Sequence, residues 1–231
     1  MTEVDCDVTA DLDKLADMIS GLSLYCHACG CRLKLSTRLK LLGSGLYGRV
    51  VGGDFKCTCD SSSSLAIKIT LNVDVSERAR NEHELSMWRE AEGVDGVLPL
   101  LHSDCFGDHY FFVSPQMRPL QWLRDKNLSK NKIINLASDL AKILCALTSK
   151  GLAWVDGGCK QLLLKDDKLF LCDLGGLEKS KNESTTAASL ALTLWELRME
   201  FSTDPCDDLL SAETFANQSE LQKAIDEILK H

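Results

Sequence analysis

Residues 41–69, LLGSGLYGRVVGGDFKCTCDSSSSLAIKI, restrict the fold of this chain more than any other stretch. Gly43, Gly45 and Gly48 come within six positions, and Val50 and Val51 follow at once. Glycine has no side chain and reaches backbone angles that other residues avoid, so a turn with this spacing lets backbone N–H groups approach a polyphosphate closely. The polar tract DSSSS at 60–64 has the composition of an exposed hairpin turn. Beyond it Leu65, Ala66 and Ile67 read as a buried strand that fixes the stem of Lys68 and aims its ammonium inward as a point charge.

With 231 residues, the chain is long enough for one large domain or two lobes with a sizeable core. Its net charge of -8 and lack of any Lys/Arg run argue against a general binder of nucleic acid or anionic membrane. No apolar run reaches the length of a membrane span, and MTEVDCDVTADLDKL is acidic where a signal peptide is basic and then apolar. The chain therefore reads as soluble and cytoplasmic. A secretory lumen is the alternative if an upstream signal is missing, because sequons stand at Asn127, Asn182 and Asn217 and the chain has eleven cysteines.

Residues 8–24 carry Leu12, Leu15, Ile19 and Leu22 at helical spacing and read as an amphipathic helix packed on the lobe that follows. The run CHACGC holds Cys26, His27, Cys29 and Cys31, and Cys57 and Cys59 lie farther on. Cys26 and Cys29 have the spacing of a zinc knuckle, and a second pair could complete four thiolates. Cys57 and Cys59, however, are one residue apart instead of two or more, so free or disulfide-bonded cysteines are expected here and no structural zinc. Residues 77–92 and 131–149 read as helices, the second with a wide apolar face that includes Ile133, Leu136, Leu140, Ile143, Leu144 and Leu147. VLPLL at 97–101 and YFFV at 110–113 read as a strand pair around the turn-like SDCFGDH. Leu221, Ala224, Ile225 and Ile228 mark one more amphipathic helix. Asp156 and Asp173 stand seventeen residues apart, separated by the apolar runs LLL and LFLC, which suit a hairpin. Two carboxylates so placed meet the physical needs of metal-assisted phosphoryl transfer: a hard oxygen ligand for Mg²⁺, and a base that orients the nucleophile.

Together, GSGLYGRV and the later Ala66-Ile67-Lys68 resemble the glycine-rich loop and lysine strand of protein kinases, with the likeness extending over about residues 38–200. That resemblance implies an α+β, two-lobed fold in which a small antiparallel β-sheet N-lobe with one helix precedes an abbreviated helical C-lobe. Residues 1–35 form an N-terminal helix and Cys-rich segment, 36–114 the N-lobe and 115–231 the truncated C-lobe. It further implies that ATP and Mg²⁺ bind between the lobes. In this scheme Gly43, Gly45, Gly48, Val50, Ala66 and Lys68 surround the nucleotide. Glu84, with Glu82 as runner-up, pairs with Lys68. The backbone at Gln116 and Met117 meets the adenine edge, and Val113 lies near the back of that pocket. Asp156 orients the substrate hydroxyl, Lys68 anchors the phosphates, and Asp173 with Gln161 ligates the metal.

Departures from the family pattern are equally specific. Trp154 and Val155 replace His and Arg before Asp156, so the arginine that reads a phosphorylated activation loop is absent. Gln161 replaces an asparagine, no Ala-Pro-Glu triplet occurs, and Thr186 stands near the place of an aspartate at the start of the ASLALTLWEL helix. The expected function is that of an ATP-binding, kinase-like protein, a weak or atypical phosphotransferase to a Ser/Thr hydroxyl. Its alternative is a pseudokinase interaction module that binds or inhibits a kinase or another partner. Pared-down viral kinase-like proteins and divergent secretory kinases are similar in this respect.

Overall fold

The computed structural model describes residues 4–26, 29–59, 61–126 and 128–179, together with Thr186, Ser189, Leu190, Leu192, Thr193, Leu194, Glu196 and Leu197. The sequons at Asn127, Asn182 and Asn217, His27, and the helix expected around Leu221–Ile228 lie outside these residues. The chain is mixed α+β and divides into two compact units: residues 1–82 with 99–116, and residues 83–98 with 117–231. Among the described residues no helix is long and apolar enough to cross a membrane.

The first unit is built on a six-stranded antiparallel sheet. β1 (Lys34–Leu35) and β2 (Lys40–Gly45) both pair with β3 (Gly48–Lys56), which is followed in order by β4 (Ser62–Leu71), β6 (His109–Pro115) and β5 (His102–Phe106). One face of this sheet carries Val51, Phe55, Leu65, Ile67, Ile69, Phe111 and Val113, and it is covered by helix α1 (Val4–Gly21) and the segment after it through Ile19, Leu22 and Leu24. Burying side chains of this size is worth about 1.5–3 kcal/mol each, so α1 is part of this core instead of an appendage to it. Arg32 secures the end of α1 by donating to the Ser20 carbonyl at 2.9 Å, and Arg49 of β3 forms an ion pair with Asp11.

Two boundaries differ from the sequence reading. The strand expected at 97–101 forms five residues later, as β5 (His102–Phe106), so that SDCF is strand and the turn shrinks to Gly107 and Asp108. Pro99 has no N–H to give a ladder, and Gly107, at φ 58°, takes the left-handed angle the tight turn requires. Ser62–Ser64, expected in a loop, instead extend β4 and pair with Asp54–Lys56, where Ser64 Oγ donates to Asp54 Oδ1 at 2.6 Å.

The second unit centres on helix α3 (Lys130–Ser149), whose N-terminus is capped by Ser129 Oγ accepting from the Lys132 N–H. Its buried face of Ile133, Leu136, Ala137, Leu140, Ile143, Leu144 and Leu147 packs on β8 (Leu152–Trp154) and β10 (Lys168–Leu171). The expected hairpin is present as β9 (Leu162–Lys165) with β10, closed by Asp166 and Asp167, both at positive φ. β7 (Arg118–Pro119) pairs with β9, and β11 (Leu177–Lys179) pairs with β8. Helix α2 (Val75–Glu90) contributes residues to both units.

Candidate functional site

In the first unit, ladder register decides which side chains share a face, because opposed residues of an antiparallel pair project to the same side. Val50 is opposite Lys68, Gly52 opposite Ala66 and Gly48 opposite Thr70. Lys68 is in turn opposite Phe112, and Ala66 opposite Ser114. Val50, Ala66 and Lys68 therefore stand on one face, the one turned away from the α1-covered core. Val113 does not join them: it pairs with Ile67 and belongs to the opposite, core-facing side, so the expectation that it backs the nucleotide pocket is corrected, and Phe112 and Ser114 share the Lys68 face. The period of two in a strand makes this a one-residue error with a complete change of side.

The glycine hairpin is β2 and β3 with Leu46 and Tyr47 at its tip. Arg80 of α2 stacks over the Tyr47 ring, 4.1 Å from its centroid, and steadies the tip. The three glycines serve two purposes. A Cβ at Gly43 or Gly45 would meet nothing within 4 Å, so these positions border open space that a phosphate could enter. A Cβ at Gly48 would lie 2.3 Å from the Ile69 carbonyl oxygen. Gly48→Ala should thus force β3 and β4 apart and lower stability by about 1–3 kcal/mol, read as a lower urea midpoint, whereas Gly43→Ala should leave that midpoint nearly unchanged.

A recess of about 880 Å³ lies where the hairpin tip meets α1 and the start of α2, lined by residues that include Tyr47, Arg49, Arg80, Asp11, Asp74 and Glu77. Lys68 does not line it, and its two arginines are already engaged, Arg49 by Asp11 and Arg80 by the Tyr47 ring. The Lys68 face remains the better candidate. The Gln116 N–H is committed to the Ser64 carbonyl at 2.9 Å, so an adenine edge would have to use other backbone groups near Gln116 and Met117.

Within the second unit, Asp156 follows β8 and Asp173 follows β10. The β8–β11 ladder continues through the Val155 N–H to the Gly176 carbonyl, which lays Asp156 against the turn that Asp173 opens. A Cβ at Gly176 would come 2.8 Å from Asp156 Cβ, so only glycine permits this approach. Asp173 has φ 58° and ψ 59°, a left-handed conformation uncommon for a residue with a side chain and concentrated at functional sites. Gln161 lies on the short turn before β9, is buried, and donates through Nε2 to Asp156 Oδ2 at 2.9 Å. Its Oε1 is buried with no hydrogen-bond partner among the described residues. A buried acceptor left unpaired costs about 1–3 kcal/mol, so such an atom calls for an explanation, and a cation is one.

On α2, Glu84 is 3 % exposed while Glu82 is exposed, and Glu84 lies beside Gly175. A role that needs a desolvated carboxylate therefore falls to Glu84. Thr186 and Glu196 are supports that the sequence reading did not assign. Thr186 Oγ1 accepts the Trp154 N–H at 3.2 Å, and Glu196 Oε2 accepts the Cys159 N–H at 2.6 Å, so the residues on either side of Asp156 are anchored to the following helical segment. Thr186 is named in the sequence only for its place near a missing aspartate and Glu196 only as part of ASLALTLWEL, and neither contact is readable from that.

The first unit also gathers Cys26, Cys29, Cys57 and Cys59. Hydrogen bonds to Ser61 hold the Cys59 thiol down to about 6, and the neighbouring Cys57 pushes the Cys29 thiol above the usual thiol range. No protein-family model and no curated protein sequence matches this chain.

Proposed function

We propose that the chain is a kinase-like, ATP-binding protein that uses Mg²⁺ to transfer phosphate slowly to a Ser/Thr or similar hydroxyl. The observation that carries this reading is the common sheet face of Val50, Ala66 and Lys68, reached from a hairpin whose Gly43 and Gly45 positions are open. The residues of the second unit fit a magnesium nucleotide, because Gln161 Oε1 is a buried acceptor in want of a partner and the Cys172 N–H donates to the Gln161 carbonyl, which brings the carboxylate-bearing Asp173 next to it. Asp173 and Gln161 would hold the metal, which offsets negative charge on the phosphates during transfer. Lys68 would anchor the phosphates, with Glu84 as the buried carboxylate that orients it. Asp156 would accept the proton of the incoming hydroxyl, with the Gln161 amide fixing its carboxylate. A two-lobed, kinase-like arrangement with an abbreviated C-lobe belongs to the same proposal.

One observation favours the second reading, a pseudokinase module that binds or inhibits a partner. Gln161 donates its amide to Asp156 Oδ2, a contact that can hold the turn together without any chemistry at Asp156. A radiolabelled γ-phosphate assay against a mixed protein and glycan extract separates the two. Slow transfer by the wild type is expected. Absence of transfer by a folded, ATP-binding wild type would hand the function to the module. Alongside it, Asp173→Asn should weaken ATP binding in the presence of Mg²⁺ but not in its absence; equal weakening in both would remove Asp173 from the metal.

A further inference from the structure

We propose that Cys26, Cys29, Cys57 and Cys59 form a four-thiolate zinc site that pins the N-terminal segment to the sheet bearing Lys68. All four Sγ atoms lie within 4.8 Å of one another. Cys26 and Cys59 are 3.9 Å apart and Cys29 and Cys57 are 3.1 Å apart. A tetrahedron with Zn–S bonds of about 2.3 Å has edges of about 3.8 Å, so the sulfurs stand near the distances one zinc ion requires. With no separation above 4.8 Å, all four sulfurs can reach a single ion, a convergence that two independent disulfides would not need.

Two tight turns produce the cluster. Tyr25 bridges to Arg32, the Cys26 N–H donates to the Cys31 carbonyl, and the Gly30 N–H donates back to the Cys26 carbonyl, with Gly30 at φ 69°. The second turn joins β3 to β4, where the Cys57 N–H donates to the Ser61 carbonyl. The single residue between Cys57 and Cys59, which in the sequence argues against zinc, is no obstacle on a turn this tight. Each turn supplies one sulfur from a buried residue, Cys26 and Cys57, and one from an exposed residue, Cys29 and Cys59. Such a pairing roots the site in the fold and leaves it open to loading.

The charge nearby is compatible with such a site. Lys34 and Lys56 are direct register partners next to the site, Lys56 immediately before Cys57. Like charges directly opposed are destabilising on a sheet, and a zinc tetrathiolate with net charge of about -2 nearby would add an attraction that offsets part of that repulsion. All-sulfur donors in a tetrahedron select Zn²⁺, or iron, over Mg²⁺ or Ca²⁺. The bound metal would tie the segment after α1 to the β3–β4 turn, and so hold the start of the strand that carries Ala66 and Lys68.

The test is metal analysis of the full chain, purified without a tag or chelator. About one zinc per chain is expected, lost in Cys26→Ser and in Cys29→Ser but retained in Cys31→Ser, which alters a neighbouring thiol outside the four. Should the serine variants fail to fold, thiol titration of the unfolded wild type without reductant decides instead. Once the metal is chelated all eleven cysteines should react. Four missing thiols and no metal would overturn the site in favour of two disulfides. Iron in place of zinc, or loss of zinc in Cys31→Ser, would overturn the metal or the ligand set as assigned.

Discussion

Asp156→Asn should reduce phosphate transfer by on the order of a hundredfold or more while leaving Mg-ATP binding close to that of the wild type. The asparagine keeps the size of the side chain and its place against Gly176 but cannot take a proton. In phosphoryl transfer, positioning and charge neutralisation dominate, so the orienting carboxylate acts on turnover and not on the hold over the nucleotide. Loss of both together would show that Asp156 maintains the local fold, as an aspartate before glycine often does in a turn. Equal transfer by wild type and variant would remove Asp156 from the chemistry. A second variant, Gln161→Leu, separates the contributions: it deletes the amide that donates to Asp156 at 2.9 Å and also the buried Oε1, so it should lower both transfer and the Mg²⁺ dependence of binding.

Lys68→Met should abolish most of the thermal stabilisation that Mg-ATP confers. A ligand at a hundred times its dissociation constant stabilises the native state by about 2.7 kcal/mol, and for a chain of this size that corresponds to a rise in Tm of roughly 5–10 °C. Methionine preserves the apolar stem and removes the charge that the proposed scheme pairs with the buried Glu84, so the unliganded melting temperature should fall and the comparison is of the Mg-ATP shift within each protein. Equal shifts in wild type and variant would remove Lys68 from nucleotide binding. An unshifted wild type would point to a chain that does not bind nucleotide at all.

What was legible in the sequence and what was not follows from which interactions are local. Helix α3 announced itself because its apolar stripe recurs at helical spacing and Ser129 caps it. The β9–β10 hairpin was legible for a similar reason: two apolar runs flank Asp166 and Asp167, which tolerate positive φ. β5 was misplaced because VLPLL is more apolar than HSDCF, yet Pro99 breaks the ladder and a half-exposed edge strand tolerates polar residues. Val113 was set on the wrong side because apolar character does not reveal strand parity; only its pairing with Ile67 does. Lys68, Ala66 and Val50 were placed together by their motif, and the register puts them on one face. The cysteines were the reverse case, since the spacing within each pair is local while the meeting of two distant turns is not. The anchoring of Trp154 by Thr186 and of Cys159 by Glu196 is likewise a product of tertiary packing.

Calorimetric titration of the untagged wild-type chain with ATP, in the presence of Mg²⁺ and again with Mg²⁺ removed, tests nucleotide binding most directly. Saturable binding at one site per chain, markedly weaker without Mg²⁺, is the expected result. A cooperatively folded chain that binds no ATP under either condition would contradict the kinase-like reading at its base.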